Sequence, residues 1–303
     1  MNTGLNLTLR ALAAAWVALS LSACGSGDKP AAPANPANAP AAKAPEPAPA
    51  AAAPGQSPAP GASAVALLEQ DVAYGEGQKT NLVGFLAMPR DAAEPLPGII
   101  VIHEWWGLND QVKAMARRLA GEGYVALAVD LYGGATATTP DKAQALMTAL
   151  LADPESGRKN LRQAYDYLEK YALAPRIGSI GWDLGGSWSL QTALLYPDQL
   201  DALVMYYGQV AIDRDQLGKL RVPILGFFGS EDKSIPVRDV QNFRTTLNEL
   251  GKNAEVLIMI GADHGFANPS GSNYNEQSAA EAWTKTLEFL KHNLKVTAEA
   301  PAQ

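Results

Sequence analysis

The feature that most constrains the fold is a repeated alternation of short apolar runs and amphipathic stretches after residue 64. The run Gly98–His103 (GIIVIH) is apolar over five consecutive residues, as expected for a strand that is buried on both faces. The next segment, Gln111–Gly121, has the apolar spacing of an amphipathic helix and ends in a Gly-Glu-Gly turn. Repeated strand–helix alternation predicts an α/β fold, with a mostly parallel central sheet and helices on both faces.

The same periodicity predicts seven strands and six helices in this region. The predicted strands are Leu82–Met88, Gly98–His103, Tyr124–Val129, Arg176–Ile180, Leu203–Tyr207, Ile224–Phe228 and Ala254–Ile260. The predicted helices are Gln111–Gly121, Lys142–Leu151, Glu155–Leu173, Ser187–Tyr196, Val237–Leu250 and Ala279–Leu294. Ligands of such sheets bind beyond the carboxyl ends of the strands, so the loops that follow strands are the place to look for chemistry.

The N-terminal segment has the pattern of an export signal. Residues 1–23 contain the apolar run Ala11–Leu21, which is too short to span a bilayer but suits a signal peptide. The run ends in Leu-Ser-Ala before Cys24, which resembles the lipobox of bacterial lipoproteins, in which the cysteine is lipidated. The alternative is a soluble secreted protein with an incidental cysteine. We expect a lipid anchor on Cys24 in the cell envelope, at the periplasmic face of the outer membrane because Gly25 rather than an aspartate follows.

Composition divides the rest of the chain. Pro30–Gly61 holds ten of the 21 prolines and is otherwise mostly alanine, so residues 24–63 are predicted to form a disordered tether. Residues 64–295 are predicted to form one domain, followed by a disordered tail at 296–303.

Composition also excludes several classes of function. A single cysteine permits no disulfide within the chain and no cysteine-based metal site. The net charge is −7 and no block of Lys or Arg stands out, so nucleic acid is not an expected partner. No metal-ligand spacing or nucleotide-binding glycine loop is present, and no cofactor or metal is predicted. The expected partners are a small-molecule substrate and, through the lipid, a membrane.

The loop Gly181-Trp182-Asp183-Leu184-Gly185-Gly186 has the form of a nucleophile elbow between a strand and a helix. In such an elbow the central side chain, here Asp183, points into the site from a strained backbone. The alternative is an ordinary turn in which Asp183 caps the helix.

Two later loops supply an acid and a histidine. Asp232 follows the strand that ends at Phe228, and His264 follows the strand that ends at Ile260. The order Asp183, Asp232, His264 is the nucleophile–acid–histidine order of α/β-hydrolases. The chain has only two other histidines, His103 and His292, and His292 is predicted to lie on the surface of the last helix. We therefore predict a catalytic triad.

A fourth element, His103-Glu104-Trp105-Trp106-Gly107, ends the most apolar strand. We expect the backbone N–H groups of Trp105 and Leu184 to form an oxyanion hole. Four tryptophans lie in or near these loops, and they predict either an aromatic-walled substrate pocket or core packing. They are Trp105, Trp106, Trp182 and Trp188.

These motifs together resemble the dienelactone hydrolase family from about Val72 to Leu294. The matching segments are HEWWGLN from His103, VDLYG from Val129, GWDLGG from Gly181, GSED from Gly229 and ADHGF from Ala262. The resemblance implies that Asp232 and His264 take the acid and base places. It also implies that Glu104 matches the carboxylate that helps to deprotonate the nucleophile, and that Tyr132 and Asn268 belong to the substrate pocket with Trp106 and Trp182.

The chain departs from the family pattern in two ways. The family nucleophile is a cysteine, whereas this chain has Asp183. The family's founding enzymes hold a substrate carboxylate with two arginines, whereas this chain has Gly133-Gly134 and Asn268 at those places, so a dienelactone carboxylate is not an expected substrate. Because Glu104 and Asp183 should face each other, one of the two is expected to have a raised pKa.

Three hypotheses follow. The first is a hydrolase of small esters or lactones that uses the triad. The second is an Asp-nucleophile hydrolase of haloalkyl or epoxide compounds, because a carboxylate attacks saturated carbon better than a carbonyl. The third is a catalytically inactive envelope binding protein.

Overall fold

The computed structural model describes residues 65–77, 81–210 and 213–295. These residues form eight strands and seven helices. The strands are β1 (Leu67–Glu76), β2 (Asn81–Pro89), β3 (Gly98–Ile102), β4 (Val125–Val129), β5 (Ile177–Trp182), β6 (Ala202–Tyr206), β7 (Ile224–Gly229) and β8 (Ala254–Met259). The helices are α1 (Asp110–Gly121), α2 (Pro140–Ala152), α3 (Pro154–Lys170), α4 (Leu184–Leu195), α5 (Arg214–Lys219), α6 (Val237–Glu249) and α7 (Glu276–Leu294).

One sheet contains all eight strands in the order β1-β2-β4-β3-β5-β6-β7-β8. Strand β2 is antiparallel to both β1 and β4, and every later neighbouring pair is parallel. The six parallel strands therefore bring their carboxyl ends to one edge of the sheet, where the predicted site loops begin.

The core lies on both faces of this sheet. Alternate residues of a strand point to opposite faces, so Ile100 and Ile102 of β3 enter one apolar cluster while Ile99 and Val101 enter the other. Helices α3, α4 and α6 cover the first face, and helices α1 and α7 cover the second. Burial on both faces explains why the central strands read as continuous apolar runs.

The predicted α/β fold with a mostly parallel sheet is confirmed, and all seven predicted strands and six predicted helices are present. Two elements were missed. Strand β1 is a mostly exposed edge strand with a register shift between Ala73 and Gly75, so its alternation is weak. Helix α5 has only six residues, which is too short for a helical period to stand out.

The predicted signal peptide, Cys24, the tether and the tail lie outside the described residues. Among the residues that are described, no helix combines the length and the apolar character needed to cross a membrane.

Candidate active site

Asp183 is the one residue between strand β5 and helix α4. Its backbone has φ 54° and ψ −117°, a left-handed region in which a non-glycine residue costs about 1–3 kcal/mol. The strained residue is held in place because its N–H donates to the carbonyl oxygen of Tyr206 on the neighbouring strand, at 3.0 Å. The backbone therefore has the geometry of a nucleophile elbow.

The glycines of this loop allow the close packing that the turn needs. A Cβ on Gly185 would meet the carbonyl groups of Ile102 and His103, the latter at 2.6 Å. A Cβ on Gly186 would lie 2.6 Å from the carbonyl oxygen of Tyr206. Helix α4 therefore begins directly against the ends of β3 and β6.

The carboxylate of Asp183 points away from its own helix. It makes no side-chain hydrogen bond to the first turn of α4, so the alternative of a simple helix cap does not hold. Its Oδ2 accepts a hydrogen bond from the backbone N–H of Trp105 at 3.2 Å. Its Oδ1 lies 3.2 Å from Nε2 of His264. The predicted oxyanion-hole donor of Trp105 is thus occupied by the elbow residue itself.

His264 links the two aspartates. Its Nδ1 lies 2.8 Å from Oδ2 of Asp232, whose side chain is fully buried. The other oxygen of Asp232 accepts the backbone N–H groups of Ser234 at 2.7 Å and Ile235 at 2.9 Å. Because these donors fix the carboxylate, Asp232 fixes the orientation of the imidazole. The structure thus brings the three predicted triad residues into one hydrogen-bonded row.

The two aspartates control the protonation of the histidine in this row. Burial alone lowers the pKa of His264, but the hydrogen bonds and negative charges of Asp183 and Asp232 outweigh burial and raise it to about 10. At neutral pH His264 is therefore an imidazolium between two carboxylates.

Glu104 lies beside this row in a buried position. Its Oε2 accepts a hydrogen bond from Nδ2 of Asn268 at 2.7 Å, and its Oε1 accepts one from the hydroxyl of Tyr207 at 3.3 Å. Burial and then the charge of Asp183 raise the pKa of Glu104 to about 7, against the opposing effect of Asn268. The pKa of Glu104 is therefore raised, as expected for one of two facing carboxyl groups.

Tyr207 is a site residue that the sequence did not reveal. It follows β6, has a φ of 37°, and is completely buried. Its ring packs edge-on against His264, with the ring centroids 5.2 Å apart. The available signal was a tyrosine at the carboxyl end of a buried strand, where a polar group is in position to reach the site.

Trp105 is held in place by contacts to its backbone. The hydroxyl of Tyr132 donates to the carbonyl oxygen of Trp105 at 3.1 Å, so the structure gives Tyr132 a supporting contact at the site. His103 is fully buried; its Nδ1 lies 2.6 Å from the carbonyl oxygen of Glu104, and its Nε2 accepts the N–H of Leu131 at 3.1 Å. These contacts connect the end of β3 to the loop after β4 and keep the Trp105 N–H directed at Asp183.

The four tryptophans separate into two groups. Trp105 and Trp106 are half-buried at the mouth, with ring centroids 4.8 Å apart. Trp182 is buried against Tyr206 and also borders a narrow cavity beside Glu104. Trp188 packs in the core on the opposite face of the sheet. Core packing therefore accounts for Trp188, whereas Trp105 and Trp106 remain available to a substrate.

Three further predictions concern residues outside this row. Leu184 is the first residue of α4, so its N–H belongs to the free donors of a helix N-terminus. His292 is exposed on α7, as predicted. Across residues 65–77, 81–210 and 213–295, no group of three or more His, Cys, Asp or Glu side chains is arranged to hold a metal ion.

Comparison with known proteins identifies the family of this chain. The model of the dienelactone hydrolase family matches residues 82–294. Protein usf of Aquifex pyrophilus is 31% identical over 218 residues, covering 70% of this chain and 93% of the relative. A protein of Aquifex aeolicus named carboxymethylenebutenolidase is 29% identical over 219 residues, covering 70% of this chain and 94% of the relative. A solved structure described as a dienelactone hydrolase of Klebsiella pneumoniae has a TM-score of 0.65 and 28% identity, covering 74% of this chain and 98% of its own. The chain belongs to the dienelactone hydrolase family.

Proposed function

We propose that this protein is a hydrolase of small, uncharged organic molecules, with Asp183, His264 and Asp232 as its reaction centre. The observation that carries the proposal is the position of His264, whose two ring nitrogens lie 3.2 Å and 2.8 Å from the two aspartates. The family arginines that hold a substrate carboxylate are absent, and Asn268 donates to Glu104 instead. A neutral substrate suits such a site better than an anion.

The geometry of Asp183 favours displacement at a saturated carbon. Its Oδ2 accepts the Trp105 N–H, so that donor is not free for a substrate carbonyl. Its Oδ1 contacts Nε2 of His264 at 3.2 Å and keeps a second lone pair with which it can attack. Attack by Oδ1 on a haloalkyl or epoxide carbon forms an alkyl ester on Asp183.

The same contacts suit the hydrolysis of that ester. Esterification removes the charge of Asp183, which lowers the pKa of His264 and frees Nε2 to act as a base toward water. Water then attacks Cγ of Asp183, and negative charge develops on Oδ2, where the Trp105 N–H already donates.

The test is a His264→Gln variant exposed to a size-matched panel of alkyl bromides and epoxides. We expect it to accumulate an adduct on Asp183, visible by mass spectrometry of the intact protein and of its peptides, because the ester forms but is not hydrolysed. The control is the double variant Asp183→Asn, His264→Gln, whose neutral amide should stay unmodified. An unmodified His264→Gln protein across the whole panel would rule out the displacement mechanism.

A second candidate is hydrolysis of small esters or lactones, which the family and the relatives named carboxymethylenebutenolidase favour. It predicts turnover of a chromogenic short-chain ester that disappears in His264→Ala. A third outcome is that neither the chromogenic ester nor any alkyl bromide or epoxide is turned over, while one of these compounds still binds. That outcome would support the third hypothesis, a binding protein without catalysis.

We also propose that the protein is exported and anchored by a lipid on Cys24, because the apolar run, the small residues and the cysteine occur in the order of a lipobox. The tether would then hold the domain away from the outer membrane on its periplasmic side.

A further inference from the structure

The surroundings of Glu104 are suited to storing a proton. Asn268 Nδ2 can only donate, and it does so to Oε2 at 2.7 Å. The Tyr207 hydroxyl near Oε1 can donate to a carboxylate or accept from a carboxyl group. Glu104 can therefore gain or lose a proton without losing either hydrogen bond.

The electrostatic surroundings favour the protonated form near neutral pH. The titratable groups that act on Glu104 are Asp183 from the elbow, His264 from the loop after β8, and Tyr207 from the end of β6. Burial and Asp183 raise the pKa of Glu104, and the cation of His264 offsets them only in part, which leaves it at about 7. A considerable fraction of Glu104 thus carries a proton in neutral solution.

Glu104 is near the proposed nucleophile, since the charge of Asp183 acts on its carboxyl group. Glu104 also immediately precedes Trp105, whose N–H holds Oδ2 of Asp183 at 3.2 Å. The loop that carries the proton therefore also holds the attacking carboxylate in place.

The nature of the leaving group decides whether such a proton is useful. A halide departs as a stable anion and needs no proton. The oxygen of an opened epoxide departs as a strongly basic alkoxide, which an acid must protonate as the bond breaks. We propose that Glu104 is the acid that protonates the leaving oxygen, and that the substrate is a small, neutral epoxide. This proposal rests on the displacement mechanism given above.

The steps balance in atoms and electrons. Oδ1 of Asp183 bonds to a ring carbon, the C–O electron pair passes to the ring oxygen, and that oxygen takes the Glu104 proton. His264, no longer paired with a charged Asp183, releases its proton to solvent and then takes one from the water that attacks Cγ. The departing alkoxide takes this proton from His264, and the acid proton of Asp183 returns to Glu104. The neutral His264, again beside a charged Asp183, recovers from solvent the proton that it released. The net change is one epoxide and one water to one vicinal diol.

Tyr207 acts in this scheme as a positioning residue. Its φ of 37° is unfavourable for a tyrosine, yet it turns the hydroxyl toward Glu104 and the ring toward His264. The preceding carbonyl, that of Tyr206, holds the N–H of Asp183. One strained residue thus positions the acid next to the elbow.

The experiment compares single-turnover labelling of Asp183 in the His264→Gln background by styrene oxide and by 2-phenylethyl bromide. Labelling by the epoxide should slow as pH rises through the pKa of Glu104, which will lie above about 7 once the His264 cation is removed. Labelling by the bromide should not show this fall. Adding Glu104→Gln should slow the epoxide reaction about 100-fold or more, the usual effect of a lost general acid. Adding Tyr207→Phe should move the fall in the rate of epoxide labelling to higher pH, because the lost hydrogen bond had lowered the pKa of Glu104.

Thermal melting shows whether each variant is folded, and the pH profile of His264→Gln alone tests the proposal if a double variant does not fold. Labelling by the bromide but not by the epoxide would overturn the proposal while the displacement mechanism stands. An epoxide reaction that is flat with pH and unchanged in Glu104→Gln would also overturn it. If neither reagent labels Asp183, the displacement mechanism itself is wrong.

Discussion

At the scale of the residue, the chemistry of this protein depends on which atom stands at the tip of the elbow. Asp183 has the backbone strain, the histidine and the N–H donor that a nucleophile in this position needs. At this position the departure from the family is the carboxylate itself, which stands where the resemblance implies a cysteine thiol. The rest of the machinery is therefore expected to serve a thiolate equally well.

We predict that Asp183→Cys creates or strongly increases hydrolysis of a chromogenic short-chain ester. A thiolate attacks a carbonyl readily, and replacing the carboxylate frees the Trp105 N–H for the substrate oxygen. The initial rate of release of the chromophore measures the effect, and Asp183→Cys combined with His264→Ala is the inactive control. A folded Asp183→Cys protein without ester activity would show that the pocket does not admit such esters, and would favour the binding-protein hypothesis.

At the scale of the element, the site depends on how closely helix α4 approaches the sheet. The sequence predicted this helix at Ser187–Tyr196, whereas it begins at Leu184. Periodicity does not register Gly185 and Gly186, since they have no side chains, yet these residues allow the first turn to touch β3 and β6. The elbow motif that begins at Gly181, rather than apolar periodicity, predicted this part of the site.

We predict that Gly185→Ala destabilises the protein by about 1–3 kcal/mol and lowers activity, because its Cβ would collide with backbone carbonyls of Ile102 and His103. Gly121→Ala is the matched control: nothing lies within 4 Å of its Cβ, and it ends a helix. Urea unfolding of both variants measures the difference. Equal stability of the two would show that the elbow tolerates a side chain at Gly185.

At the scale of the whole molecule, the buried charges link stability to pH. The pKa of His264 is raised from 6.5 to about 10, so its contribution to stability is complete below 6.5 and is lost as pH rises toward 10. The pKa of Glu104 is raised from 4.5 to about 7, so its contribution is present below 4.5 and is lost as pH rises through 7. Both groups therefore make the folded protein less stable as pH rises.

We therefore predict that the free energy of unfolding falls between pH 7 and pH 9, by up to about 1.4 kcal/mol per pH unit for each proton involved. His264→Gln should reduce this fall, because it removes the main group that titrates there. A smaller fall should remain from Glu104, whose pKa lies above about 7 in this variant. Urea unfolding at several pH values measures it. A fall of equal slope in both proteins would mean that His264 is not the group responsible.

The N-terminal proposal also belongs to the whole molecule. We predict that Cys24→Ala shifts the protein from the membrane fraction to the periplasmic fraction of a bacterial host and abolishes labelling by radioactive palmitate. Cell fractionation with an antibody to the folded domain measures the shift. Cys24→Ser would serve as a conservative comparison, and retention of palmitate in either variant would show that another residue is modified.

The sequence by itself determined the sheet, most helices and the order of the three triad residues, because apolar periodicity and short motifs are local properties that survive without neighbours. It missed β1 and α5, since an exposed edge strand and a six-residue helix leave little periodic signal. Only the tertiary structure decided that Trp188 lies in the core, that Tyr207 and Asn268 hold Glu104, and that the Trp105 N–H donates to Asp183. These contacts join residues from separate elements, and their distances and charges arise only when the fold brings those elements together.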